Sequence, residues 1–313
     1  PLGLEQCASA LGLDVRKDKR GKQLIQLLCK PQKPKKKDPR TRIQDPELLA
    51  ELYDYCLQDV RVEQRIRREL GALPAPERGV FLLNEKMNSR GITIDVESVH
   101  NAIAVVSQVE KELTAELVDI TDGRIKTANQ VAEILGFVQW KVDGGLDDLT
   151  ADTVAAAIPR AEKGSVERRV LEIRHSLAKA STKKLAGLLA AVCVDGRVRG
   201  LSQYHGAFTG RNAGRLVQPL NLPRPVLGAD PEGLVEAIAL RDPDWLRMLY
   251  GDPMQCVADA LRSMFVAGEG KNLCAVDLAS IESVGIAAIA GEESKLDLFR
   301  RGDDPYCAFA SDV

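Results

Sequence analysis

At 313 residues the chain is long enough for two or three domains, and 45% apolar residues with only 4% aromatics favour helices over an all-β sandwich. The formal net charge of −2 supplies no global basic field, so charge alone does not point to nucleic acid. No apolar run approaches the ~20 residues of a membrane span and no signal-peptide pattern is present; the seven cysteines include no C-x-x-C, so neither zinc nor a disulfide framework is indicated, and a reduced, cytoplasmic compartment is expected.

Residues 1–29 read as helix or strand pieces around LIQLLC. The basic, proline-punctuated run Lys30 to Arg42 reads as a solvated loop. From Asp45 to Leu70 apolar residues recur at helical spacing, with Pro46 in the first turn. GALPAPERG breaks that pattern and puts a boundary near residue 72. GVFLLNEKMNSRGITID predicts a helix and a short strand, with Gly91 at the turn and Asp95 capping the next helix, Val96 to about Val118. Two small helices follow, TANQVAEILG and LTADTVAAAI, the second with start signals at Thr150 and Asp152. A long helix is expected from Glu167 to about Ala191, carrying Arg174, Lys179, Lys183 and Lys184. The Gly- and Arg-rich stretch from Asp195 to Pro225 predicts strands and tight loops. Another helix, Val257 to Val266, leads to an apolar strand ending at Asp277, and a helical pattern resumes in ASIESVGIAAIAG. The chain begins on Pro1 and ends on CAFASDV without a turn signal, so a fragment of a longer protein is expected.

Four stretches carry chemistry. Asp277 ends an apolar run, with Glu282 five residues on. An acid there can cap a helix, or it can hold a hard cation such as magnesium. Two such ions can clamp the attacking and leaving oxygens of phosphoryl transfer, for which one carboxylate is not enough. In TGRNAGR, Thr209, Gly210, Arg211, Gly214 and Arg215 form a loop suited to phosphates or base edges, although solvated turns look similar. In YCLQD, Tyr55 and Asp59 share a helix face and could position a water beside a metal; a buried Tyr with a surface Asp is the plainer reading. In AKASTKKL, lysines beside small hydroxyl residues could grip a nucleic-acid backbone or face solvent.

In this order and spacing the segments resemble the family A DNA polymerases, particularly their phage-like branch. YCLQDV is similar to the third motif of the proofreading 3′→5′ exonuclease domain, and STKKL to the thumb tip. YHGAFTGRNAGRLVQPLNLPRP is similar to the palm segment after the thumb. VADALRSMFVA resembles the helix before motif A, and VDLASIESVGIAAIAGEESKLDLFRRGDDPYCAFAS resembles motif A and its extension. The resemblance implies an α+β fold: a helical thumb on an antiparallel palm sheet, preceded by the C-terminal helices of an RNase H-like exonuclease domain. It divides the chain into an exonuclease part (residues 1–72), thumb and connecting helices (73–195), and the first part of the palm (196–313).

Residue by residue, it implies that Asp277 and the Leu278 carbonyl bind catalytic magnesium, two ions in the complete site. Glu282 would sit under the sugar of the incoming nucleotide. Arg211 would reach the primer end. Thr209, Arg215, Gln218 and Asn221 would touch template–primer, and Lys183 and Lys184 duplex phosphates. Arg262 would support the motif A strand, and Tyr55 and Asp59 (a metal ligand) would belong to the exonuclease site. Two departures stand out: Val284 where the family has Arg, and Asn212 where the phage branch often has an aromatic. No R-x-x-x-K helix or His-Asp pair follows, and DPE at Asp45–Glu47 is a helix start, not an exonuclease motif. The expected function is DNA-directed DNA synthesis from dNTPs on a primer–template, by a monomer without membrane contact, with these 313 residues inactive alone. The alternatives are a non-catalytic primer–template-binding module, told apart by its gene structure, and an alanine-rich helical scaffold, told apart by its failure to bind DNA.

Overall fold

The structure is a computed structural model that describes residues 3–13, 19–31, 41–43, 45–178, 180–274 and 276–312. The loop expected from Lys30 to Arg42 lies mostly outside them. The chain divides into two compact units, Pro1–Val266 and Ala267–Val313.

The first unit is helical around a small antiparallel sheet. Helix α1 (Leu4–Ala10) packs Ala8 against Val62 and Ile66 of α3 (Pro46–Leu70). Helix α2 (Lys19–Leu24) continues as a π-turn, Ile25–Cys29, and places Leu24 and Leu28 against Leu52 and Tyr55 of α3. Asp45 starts α3: its Oδ1 accepts from the Glu47 and Leu48 amides, and Pro46 needs no donor there. The reading of DPE as a helix start holds. Helix α4 (Ala75–Arg90) and strand β1 (Ile92–Ile94) follow, joined at Gly91. The Asp95 carboxylate caps α5 (Val96–Ile120) by accepting from the Ser98 amide at 3.0 Å.

Helix α5 organises two cores. At 25 residues it is ~37 Å long, enough to serve both. Valines suit a helix interior poorly, but Val99, Val105, Val106 and Val109 fall on one face and are buried, so packing outweighs propensity. That half meets α9 (Ala180–Ala191), α10 (Pro231–Ala239), α11 (Pro243–Tyr250) and α12 (Pro253–Ala260). The other half buries Leu117 against Ile134 of α6 (Val131–Val138), Val154 of α7 (Ala151–Ala157) and Leu171 of α8 (Val166–Leu177).

The sheet order is β2-β1-β5, with β2 at Arg197–Val198 and β5 at Phe265–Val266, both antiparallel to β1. A second ladder pairs β3 (Ser202–Gln203) with β4 (Ala213–Gly214). The expected α+β class is observed. The second unit comprises α13 (Ile281–Ala290), α14 (Glu293–Arg301) and α15 (Pro305–Asp312).

Three sequence expectations are corrected. The long helix to Ala191 is two helices, α8 and α9, with Ala178 closing the first. The helix expected over Val257–Val266 ends at Ala260; a 3-10 turn (Leu261–Met264) follows, and Phe265 and Val266 pair with β1 instead. Among the described residues, the strand expected before Asp277 is not formed. Leu273 and Val276 are 55% and 87% exposed, and the described residues of this unit offer no strand to pair with.

Candidate nucleic-acid interface

The Gly/Arg loop is the turn of the β3–β4 hairpin. The pairs Ser202–Gly214 and Gln203–Ala213 form its base, and residues 204–212 make its tip. Inside the tip the Ala207 amide donates to the Arg211 carbonyl (3.0 Å) and the Gly210 amide to the Ala207 carbonyl (3.0 Å). Gly210 has φ +82, and a Cβ there would stand 2.7 Å from His205 Nε2, so only glycine fits without a shift. Thr209, Arg211 and Arg215 are all exposed on this hairpin.

The chain then doubles back. Gln218 takes a left-handed conformation (φ 49) at the start of the 3-10 turn Pro219–Asn221. Its Cα lies 3.3 Å from where a Gly214 Cβ would be, so the turn rests on β4. Asn221 Nδ2 donates to Gln218 Oε1 at 2.9 Å, and Lys184 Nζ, from α9, donates to the Asn221 carbonyl at 2.9 Å. Hydrogen bonds thus tie Lys184, distant in sequence, to Asn221 and Gln218, and Gln218 packs on Gly214 of the hairpin that carries Arg211. A lysine has three donors, so Lys184 keeps donors for a phosphate while bonded to Asn221. The Lys183 side chain lies outside the described residues, as does Lys179.

Two residues behind this surface hold it in place. Arg262 Nε donates to the Pro223 carbonyl (3.0 Å) and its terminal nitrogen to the Leu222 carbonyl (2.7 Å). These partners belong to the turn after Asn221. Asp259 is 2% exposed; its Oδ2 accepts from the Val226 and Leu227 amides at 2.8 Å each, and its Oδ1 from Gln255 at 2.7 Å. Asp259 was not singled out from the sequence. Its helical position among apolar residues, VADAL, was the available signal, because a carboxylate is rarely buried without partners.

At the base of the sheet, both terminal nitrogens of Arg199 bind the Asp195 carboxylate (2.8 and 2.6 Å) and hold its pKa at about 2. A depressed folded value means the pairing contributes above the unfolded carboxylate pKa of ~3.9 and is lost as pH falls through the folded one. A carboxyl-carbon NMR titration is expected to find the Asp195 midpoint near 2, and Arg199→Gln to return it to the ordinary range. An unchanged midpoint in the variant would remove Arg199 as the cause.

The remaining predicted residues are on other elements. Tyr55 is buried in the α2–α3 core, and Asp59 is half-buried one turn along α3. Asp277 and Leu278 are exposed in the segment before α13, and Glu282 is in its first turn. Val284 is half-buried on the same helix. Oxygen donors such as these suit magnesium. Among the described residues no group of three or more His, Cys, Asp or Glu could hold a metal. No helix among the described residues is long and apolar enough to cross a membrane.

The fold is similar to part of a solved DNA polymerase domain, the POL domain of Pol1 from M. smegmatis in complex with DNA primer-template and dNTP, with a TM-score of 0.53. That match covers 97% of this chain and 45% of that one at 17% identity, which speaks for the fold alone. Over 323 aligned residues and its whole length, the chain is 34% identical to the DNA polymerase of Bacillus phage SP02. The resemblance to phage-like DNA polymerases drawn from the motifs therefore holds along the chain. It spans 49%, about half, of that curated relative. No family model matches it.

Proposed function

We propose that the chain is the primer–template-gripping part of a family A DNA polymerase, in the three-part division given by its motifs. The observation that carries this reading is the bonded set Lys184, Asn221 and Gln218 packed on the hairpin that bears Arg211 and Arg215, in a chain similar along its length to a phage DNA polymerase. Cations and amides on rigid loops position a nucleic-acid backbone without reading its sequence. The parent reaction would be attack of a primer 3′-OH on the α-phosphate of a dNTP, with loss of pyrophosphate. Asp277, the Leu278 carbonyl and Glu282 would serve that site, and Tyr55 and Asp59 an exonuclease site. Magnesium, two ions in a complete site, would stabilise the charge that develops. On this reading these 313 residues are expected to bind primer–template and not to extend it.

Fluorescence anisotropy with a labelled primer–template at low salt tests the binding. Arg211→Ala and Lys184→Ala are each expected to weaken it about threefold to tenfold, and each to reduce the salt slope by about one. Absence of binding at low salt would sink the reading. Incorporation of dNTPs by this chain in magnesium would overturn its predicted inactivity.

A further inference from the structure

The β3–β4 ladder has two residue pairs, and so short a hairpin is marginal by itself. Its tip nevertheless has to present Arg211 in one place. The additional fixation comes from α4, which precedes the hairpin by more than a hundred residues. Glu77, Phe81, Asn84 and Asn88 recur at helical spacing and form one stripe on this helix. All four meet the hairpin. Tyr204 donates its hydroxyl to Glu77, and the Phe81 ring stands edge-on to Tyr204 at 5.5 Å. Asn88 Nδ2 donates to the Ser202 carbonyl at 2.6 Å, and the Ser202 amide donates back to Asn88 Oδ1 at 3.0 Å. The Asn88 side chain therefore supplies the bonds that a neighbouring strand would give β3.

Asn212 completes the fit. Its Nδ2 donates to Asn84 Oδ1 at 3.4 Å, and its Oδ1 accepts from the His205 amide at 3.1 Å. Asn84 is 3% exposed, which makes its amide costly to leave unmatched. The residue that departs from the phage-branch pattern thus adds a second tie between the tip and the helix, beside that of Tyr204 and next in sequence to Arg211.

We propose that Asn84 and Asn88 are positioning residues for Arg211, and that α4 serves as the template on which the hairpin is set. This rests on the reading that Arg211 contacts DNA. Asn84 and Asn88 direct side-chain hydrogen bonds to the hairpin, so their influence on binding is expected to pass through it. The Asn88→Ala, Arg211→Ala and combined variants, titrated with the same labelled primer–template, separate positioning from independent action. Asn88→Ala alone is expected to weaken binding about threefold to tenfold, and to add nothing once Arg211 is gone. Penalties that multiply in the double variant would overturn the proposal.

Amide hydrogen exchange provides a readout independent of DNA. Asn88→Ala is expected to accelerate exchange in residues 202–212 about tenfold or more, leaving α5 unchanged. Unchanged exchange in that segment would overturn the proposal. Asn212→Ala, at an exposed position, gives the same two readouts should N88A fail to fold. If the wild-type chain fails to bind primer–template, the polymerase reading falls, and the exchange result alone decides whether α4 sets the hairpin.

Discussion

Asp259→Ala is expected to lower stability by about 3 kcal/mol, the scale set by stranding donors around a deleted buried carboxylate. The 2% exposed carboxylate of Asp259 satisfies the Val226 and Leu227 amides and Gln255 from a single helical position. Alanine leaves all three donors without their acceptor and opens a small cavity where the carboxylate was. For a domain of this size, the melting temperature should fall by about 6–12 °C in a circular-dichroism melt. Asp259→Asn retains one oxygen for the two backbone amides, and Gln255 can turn its own oxygen to the new NH2 group. It should therefore recover more than half the loss. Equal losses in the two variants would show that the hydrogen bonds are not what Asp259 contributes. Arg262 holds the adjoining carbonyls of Leu222 and Pro223, so the damage should extend to the turn that carries Asn221.

The second large effect is expected at Gly91. Its backbone sits at φ 68, ψ −179, a region that essentially only glycine occupies. A Cβ would lie 2.6 Å from the Val198 carbonyl oxygen and 2.9 Å from Arg199 Cγ. The oxygen belongs to β2, whose Val198 is paired with Ile92, so relief of the clash would pull the sheet apart at its first pair. Strain and displacement together should cost about 3 kcal/mol or more for Gly91→Ala. Gly79 is the control. It lies within α4 with nothing within 4 Å of its Cβ position, so Gly79→Ala should stabilise by about 0.5–1 kcal/mol. Urea unfolding of both variants checks the pair. A Gly91→Ala midpoint equal to wild type would mean that the β1–β2 pairing tolerates the shift.

Helix starts were legible because their cause is local. Asp45, Asp95 and Thr150 cap α3, α5 and α7 as their sequences imply. The same Asp-Pro signature recurs at Asp230, Asp242 and Asp252, and each caps a helix, α10, α11 and α12. Those starts went unread although the rule that reads Asp45 applies to them. The strand ahead of Asp277 failed for the opposite reason. Leu273 and Val276 carry a strand-like pattern, but a strand also needs a neighbour to accept its hydrogen bonds, and no local pattern reports whether one exists. The site shows both sides. Arg211, Gln218 and Asn221 could be picked out within one segment. The bond from Lys184 to Asn221, and the support from Asp259, Asn84 and Asn88, depend on contacts between remote parts of the chain.

The Asn88 bridge and the Asn84–Asn212 pair leave different marks on inheritance. Asn88 addresses only the backbone of Ser202, so position 202 can drift among residues that suit a short strand while Asn88 stays. Positions 84 and 212 meet through their side chains, so a change at one calls for a matching change at the other. Relatives that place an aromatic residue at 212 would then need a different partner at 84. An alignment of phage polymerases should show those two columns changing together and column 202 varying freely.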